Sequence, residues 1–259
     1  MKKRDYIREN RVELKGLLYA DPMIKVSNAN KAEFARITVK TTVKNHKNED
    51  VTYFNSLTIW NKEQVQVLKG MKKDSGISIV GRLVDKKIEE NGKKRSIIDI
   101  YVLEVKELEG SFEHINFVEL YGRSVSKPDI KKTANNFIVG NGTIAVGNKK
   151  SKNKEGNPDF LKVSLFGDVA TGAKDIEKGK WTECEAIIKN SNYTNREGKT
   201  IYFTELNATY FAEKVWEDRE TFSSTQQQHQ QQDADDIVGN INFDIEDMMP
   251  VGDGDNPFL

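Results

Sequence analysis

Apolar residues along this chain alternate with polar ones in short runs, the period-two pattern of strands with one buried face. The first set of runs is Val12/Leu14, Ile37/Val39, Leu57/Ile59, Ile77/Ile79 and Ile98/Ile100/Val102. A second set follows as Val118/Leu120, Ile144/Val146, Val163/Leu165, Cys184/Ala186/Ile188 and Tyr202/Thr204/Leu206. Between the third and fourth runs of each set the apolar spacing becomes helical. These segments are Asn61–Met71 with Val65 and Leu68, and Asp168–Glu177 with Val169, Ala173 and Ile176. Lys69-Gly70 and Lys178-Gly179 follow as stop signals. The pattern therefore predicts five strands, with one helix after the third, in each set.

The two sets are copies of one unit. Asn10-Arg11-Val12-Glu13-Leu14-Lys15-Gly16 recurs as Asn116-Phe117-Val118-Glu119-Leu120-Tyr121-Gly122, an offset of 106 residues. The same offset carries Pro22 to Pro128, Phe54 to Phe160, Trp60 to Phe166 and Gly92 to Gly198. That period is too long for a solenoid repeat and suits a compact domain of about 100 residues. Five strands with one helix after the third is the pattern of an OB-fold, a small partly open Greek-key barrel. The expected fold is all-β: two tandem OB-folds over residues 1–110 and 111–216. Gly16, Gly81 and Gly122 fall inside strands, where a missing side chain permits sharp coiling. Asn91-Gly92 and Glu197-Gly198 read as hairpin turns between the fourth and fifth strands. Lys44–Asp50 and Asn148–Asn157 read as long basic loops.

Composition adds a third segment. The chain has 40 basic and 40 acidic residues, but residues 217–259 hold eleven of the acidic and only one of the basic, Arg219. The remainder is thus about +10 and the tail about −10. Ser223–Gln232 is glutamine-rich with nothing to build a core, and the acidic stretch from Asp233 follows it, so residues 217–259 are expected to be a disordered linker and tail. A basic body with an acidic tail points to nucleic acid for the former and an interaction role for the latter.

Little in the chain resembles catalytic machinery. Cys184 is the single cysteine, which rules out a disulfide framework and a cysteine metal site. His46, His114 and His229 stand apart, without a partner at metal-ligand spacing. No phosphate loop, nucleophile elbow or zinc-protease motif occurs. No enzyme activity, cofactor or metal is expected. The basic start Met1-Lys2-Lys3-Arg4 is not followed by an apolar run, and no stretch is long enough to span a bilayer, so a cytoplasmic protein is expected. What stands out is aromatic residues among lysines. Phe54 and Trp60 lie an even number of residues apart on one strand, with Ser56 and Thr58 between them, while Leu57 and Ile59 point inward. Phe160 and Phe166 repeat the arrangement. Outward rings on a basic barrel suit single-stranded nucleic acid: bases stack on the rings and Lys or Arg follow the phosphates. The competing structural role is that these rings complete the core or cap the helix.

At these residues the chain resembles the bacterial-type single-stranded DNA-binding proteins. The Asn-x-Val-x-Leu-x-Gly strand, Asp21-Pro22, the aromatic pair of the third strand, the Lys-Gly before the fourth and Gly81-Arg82-Leu83 carry the resemblance. It implies base stacking on Phe54 and Trp60, and on Phe160 and Phe166. A further family stacking position falls on Tyr193 in the second repeat but on Ile88 in the first. Another falls near Lys44 and Lys149, where no aromatic stands. Lys44, Lys47, Arg82, Lys149 and Lys150 are the candidate phosphate contacts. Members with two OB-folds per chain assemble as dimers, so a homodimer is implied. The family's acidic tip is matched by Asp253, Asp255, Pro257 and Phe258, followed here by an added Leu259. Such a tip implies recruitment of replication and recombination proteins, and the extra leucine suggests the partners of a phage or plasmid system.

The expected function is sequence-independent binding of single-stranded DNA in replication, recombination and repair. Two alternatives remain at this point: an RNA- or tRNA-binding OB module, and a protein–protein adaptor. An OB-fold alone does not choose among them.

Overall fold

The computed structural model describes residues 10–214 except 30, 46–47, 91–92, 148, 152–153, 156–157 and 195–199. The first repeat forms β1 (Asn10–Leu18), β2 (Met23–Val26), β3 (Glu33–Lys44), β4 (Asp50–Ile59), α1 (Lys62–Gly70), β5 (Gly76–Glu90) and β6 (Lys93–Leu108). The second forms β7 (Ile115–Ser124), β8 (Asp129–Lys132), β9 (Ile138–Val146), β10 (Lys149–Ser151), β11 (Lys154–Glu155), β12 (Asp159–Phe166), α2 (Gly167–Ala173), β13 (Trp181–Thr194) and β14 (Thr200–Glu213). All ten strands expected from the alternation are present. Among the described residues no helix is long and apolar enough to cross a membrane.

Each repeat wraps into a barrel. β1 pairs with β5, β5 with β6, β3 with β4, and the end of β1 with β3, all antiparallel. The second repeat follows the same plan, and the parallel contact Ser164↔Asn207 closes β12 onto β14. Most inward residues of the long strands are apolar. Leu14, Val39, Leu57 and Ile79 fill the first core, and Leu120, Ile144, Leu165 and Ile188 fill the second. The cores differ at several inward positions. Thr41 and Asn55 are buried in the first barrel, where the strand registers place Val146 and Leu161 in the second.

β1 serves two neighbours along one edge. Asn10–Lys15 pair with β7, and Leu17–Leu18 pair with β3. Gly16 stands where the partner changes: a Cβ there would lie 2.2 Å from the Lys40 carbonyl oxygen. Gly122 does the same in β7, where a Cβ would lie 2.4 Å from the Ala145 carbonyl oxygen. Only a residue without a side chain lets the strands approach so closely. The β1–β7 pairing joins the barrels into one 12-stranded sheet, with Val12 directly opposite Val118. Buried amides lock both ends of this junction. Asn10 accepts from the Leu83 N–H and donates to the Leu83 carbonyl, both at 2.8 Å. Asn116 repeats the exchange with Ile188, at 3.0 and 2.8 Å.

α1 forms where the helical spacing predicts. The Asn61 carboxamide caps it by accepting from the Glu63 and Gln64 N–H groups, and Val65 and Leu68 are buried beneath it. α2 is shorter than the sequence suggested, ending at Ala173 rather than Glu177. It has no side-chain cap and includes Gly172, which costs about 1 kcal/mol relative to alanine in a helix. A turn then continues the burial, with the Ile176 N–H donating to the Ala173 carbonyl and Ile176 packed in the core. Gly179 does not stop the helix; at φ +82° it turns the chain into β13.

Three further strand features were not legible in the alternation. β2 and β8 are edge strands of four residues each with three exposed, too open to show a buried face. Part of the stretch read as a loop, Asn148–Asn157, is the small β10–β11 hairpin. The tips Asn91-Gly92 and Glu197-Gly198 lie outside the described residues, although Glu90↔Lys93 and Thr194↔Thr200 pair beside them.

Candidate nucleic-acid interface

Strand parity builds the outer face of the first barrel. On β4, Asn55, Leu57 and Ile59 point inward, leaving Phe54, Ser56 and Thr58 outward. The β3–β4 register sets these beside the outward residues of β3: Phe54 opposite Lys40, Ser56 opposite Thr38, and Thr58 opposite Arg36. The Thr38 and Ser56 hydroxyls bond at 3.1 Å, tying the strands on this face. β2 extends the face with Met23 beside Arg36 and Lys25 beside Phe34.

The rings stand as follows. Phe54 is 43% exposed and meets Tyr19, itself 54% exposed, edge-on with centroids 5.0 Å apart. Trp60, just past β4, is half-buried and stacks on Phe34 with centroids 4.5 Å apart and planes inclined by 29°. The Arg36 guanidinium lies 5.4 Å from the same Phe34 ring. Trp60 thus belongs to an aromatic–cation stack at the rim of the face and not to the barrel core. In the second barrel Phe160 and Phe166 are 47% and 41% exposed, with Lys162 exposed between them.

Other expected site residues are dispersed. Lys44 is exposed at the end of β3 and pairs with Asp50 at 2.8 Å. Lys149 and Lys150 sit on β10, and Tyr193 sits on β13 opposite Ile201. Their side chains, and all of Lys47, lie outside the described part. So do Asp253, Asp255, Pro257, Phe258 and Leu259 of the tail. Arg82 is not on the face with Phe54. Its guanidinium lies over Tyr101 at 5.1 Å and 3.7 Å from the Asp159 carboxylate of the other repeat, with little exposure on either side of the pair.

The two faces are linked through the fourth–fifth-strand hairpins. The Asn190 side-chain amide on β13 donates to the Phe54 backbone carbonyl at 2.8 Å, and the Thr204 hydroxyl donates to Asn190 Oδ1. Reciprocally, Asp159, next to Phe160, accepts from the Asp85 N–H of β5 at 3.0 Å. Each repeat's long hairpin therefore braces the strand that carries the other repeat's exposed phenylalanine. Sequence reasoning missed Tyr19, Phe34, Arg36 and Lys40. The last three have a signal in hindsight, being the polar-side positions that alternate with Ala35, Ile37 and Val39. Tyr19 lies beyond the regular run of β1 and has none.

The chemistry is that of binding. Burial pushes the Cys184 thiol up to about 12, which leaves it a poor nucleophile. Among the described residues no group of three His, Cys, Asp or Glu side chains is placed to hold a metal ion. Exposed rings interleaved with cations can stack bases and neutralise phosphates without base-edge readout.

Comparison with known proteins agrees with this geometry. The model of the single-strand binding protein family matches twice, over residues 9–108 and 115–213. A protein of Oceanobacillus iheyensis named single-stranded DNA-binding protein is 34% identical over 95 residues, which are 36% of this chain and 58% of that relative. Single-stranded DNA-binding protein 3 of Streptococcus agalactiae is 29% identical over 146 residues, 56% of this chain and 99% of the relative. The crystal structure of the wild-type single-stranded DNA binding protein from Thermus aquaticus superposes with a TM-score of 0.65 at 19% identity. That match covers 82% of this chain and 96% of the other, and it bears on the fold.

Proposed function

The chain belongs to the single-strand binding protein family, and from that premise we propose that it binds single-stranded DNA without sequence preference and protects it during replication, recombination and repair. As a member of that family it is a binding protein and not an enzyme. The observation that carries the reading is the doubled exposed phenylalanine, Phe54 and Phe160, at equivalent places on lysine-bearing sheet faces. Stacking on such rings is indifferent to base identity, because every base has a π-face.

The functional unit is proposed to be two domains, residues 1–110 and 111–216, in a homodimer, with the 217–259 tail recruiting partners through Asp253, Asp255 and Pro257-Phe258-Leu259. The tail carries charge opposite to the body. It competes weakly with DNA for the basic faces and is released to partners when DNA binds. The protein acts in the cytoplasm.

The test is binding to oligo-dT and to duplex of equal length across a salt series. Affinity for the single strand exceeds that for duplex by orders of magnitude and falls as salt rises. Equal affinities, or a flat salt response, would overturn the reading. Light scattering tests the dimer; a stable monomer at micromolar concentration rejects it. Deletion of Asp233–Leu259 raises affinity most at low salt and abolishes partner recruitment. Partner binding retained after deletion assigns the contact to the barrels instead.

A further inference from the structure

The two faces share a backbone plan but not a chemistry. Because Phe54 pairs with Lys40 and Phe160 with Ala145, the registers give a residue-by-residue correspondence between them. Lys40 becomes Ala145, Arg36 becomes Asn141 and Phe34 becomes Val139. Tyr19 becomes Val125: the backbone N–H groups of both donate at 2.9 Å, to the equivalent residues Thr38 and Thr143. At these positions the second face thus lacks the rings of Tyr19 and Phe34 and the cations Lys40 and Arg36. It gains Lys162, where the first face has Ser56, and the exposed ring of Phe137 two residues before Val139, where the first repeat has Ala32.

The edge strands widen the difference. On β2, Met23 and Lys25 flank Arg36 and Phe34, and no carboxylate stands in these rows. On β8, Asp129 and Lys131 flank Asn141 and Val139, and their side chains pair at 2.7 Å. Among the described residues of these rows, the first face presents Lys25 and Lys40 with no carboxylate beside them, while the second presents Lys162 and Lys131, the latter paired with Asp129.

We propose that the repeats are unequal DNA sites: the first face, built on Phe54, Tyr19, Trp60 and Lys40, is the primary platform, and the second is a weaker extension filled after it. This rests on the single-stranded DNA reading above. Stacking on several rings gives the first face its affinity, and its unpaired lysines give it most of the counterion release. Phe166, more open than Trp60, keeps the second face competent rather than silent. A short strand occupies the first barrel alone, and a longer one is drawn across the Asn190 brace onto the second.

The experiment uses the full chain and an oligo-dT of about 16 nucleotides, short enough for one barrel. The wild type shows two classes of site at least about 10-fold apart. Phe54→Ala weakens the tight class by about 10-fold or more, whereas Phe160→Ala leaves the tight class unchanged. Should an aromatic variant fail to fold, surface lysines decide. Lys25→Ala/Lys40→Ala lowers the slope of log affinity against log salt for the tight class by about 1.4, and Lys131→Ala/Lys162→Ala leaves that slope unchanged. Transplanting charge by Asn141→Arg/Ala145→Lys tightens the weak class. One class of equal sites, or equal losses from Phe54→Ala and Phe160→Ala, overturns the inequality and leaves single-strand binding standing. No binding of oligo-dT by the wild type removes both.

Discussion

The side-chain amide of Asn190 donates a hydrogen bond to the carbonyl of Phe54, 136 residues away and in the other repeat. The peptide that presents the first exposed phenylalanine is therefore held from outside its own barrel. Asn190→Ala removes the brace while leaving both cores intact. We expect single-strand affinity to fall by a few-fold, consistent with about 0.5–1.5 kcal/mol for one hydrogen bond, with little change in melting temperature. Titration beside thermal unfolding checks this; a large drop in stability with unchanged affinity would show that the brace serves folding instead.

Neighbouring residues on β4 separate binding from folding. Phe54 faces solvent and Leu57 is 3% exposed. Phe54→Ala should leave the unfolding free energy nearly unaltered, whereas Leu57→Ala should lower it by about 2–5 kcal/mol. Denaturant titration of both variants is the measurement. A Phe54→Ala variant as unstable as Leu57→Ala would place that ring in the core.

Asn55 is 1% exposed, and neither its amide nitrogen nor its oxygen has a hydrogen-bond partner; Thr41, also buried, has an unpartnered hydroxyl. The second barrel holds Leu161 and Val146 at these places. Grafting that solution as Asn55→Leu/Thr41→Val should stabilise the protein by about 1–3 kcal/mol, the cost of unsatisfied buried polar groups. A fall in melting temperature would mean the polar pair is satisfied in solution.

Cys184 gives a pH signature. Burial, helped by the nearby Glu185 charge, raises its pKa from 9.0 to about 12. The folded state thus prefers the neutral thiol. That preference contributes stability in full below pH 9, and the contribution is lost as pH rises from about 9 towards about 12. A thiol reagent should leave native protein untouched at pH 8 and label it on denaturation. Rapid native labelling would show the strand opening locally. Cys184→Ser should remove part of the alkaline destabilisation.

Much of this was legible along the chain because strand parity is local. Phe54 and Phe160 announce their outward direction through Leu57 and Leu165 on the opposite parity. Asn61 and Gly70 likewise bound α1, since caps act within a turn. What escaped depends on pairing across distance. Arg82 reads as a surface cation until β12 brings Asp159 to it. Lys40 gains meaning only from standing opposite Phe54, and Asn190 only from a contact between repeats. The early end of α2 depended on Gly172 and an uncapped start outweighing a plausible helical spacing.

The strand pairing that sets Val12 opposite Val118 has a consequence for a scarce protein. Between separate subunits such a pairing obeys mass action and comes apart on dilution. Here both strands belong to one polypeptide, so each meets the other at an effective concentration of roughly millimolar whatever the number of molecules present. The two-barrel unit is therefore complete in the first copy made, before a second chain exists for it to find.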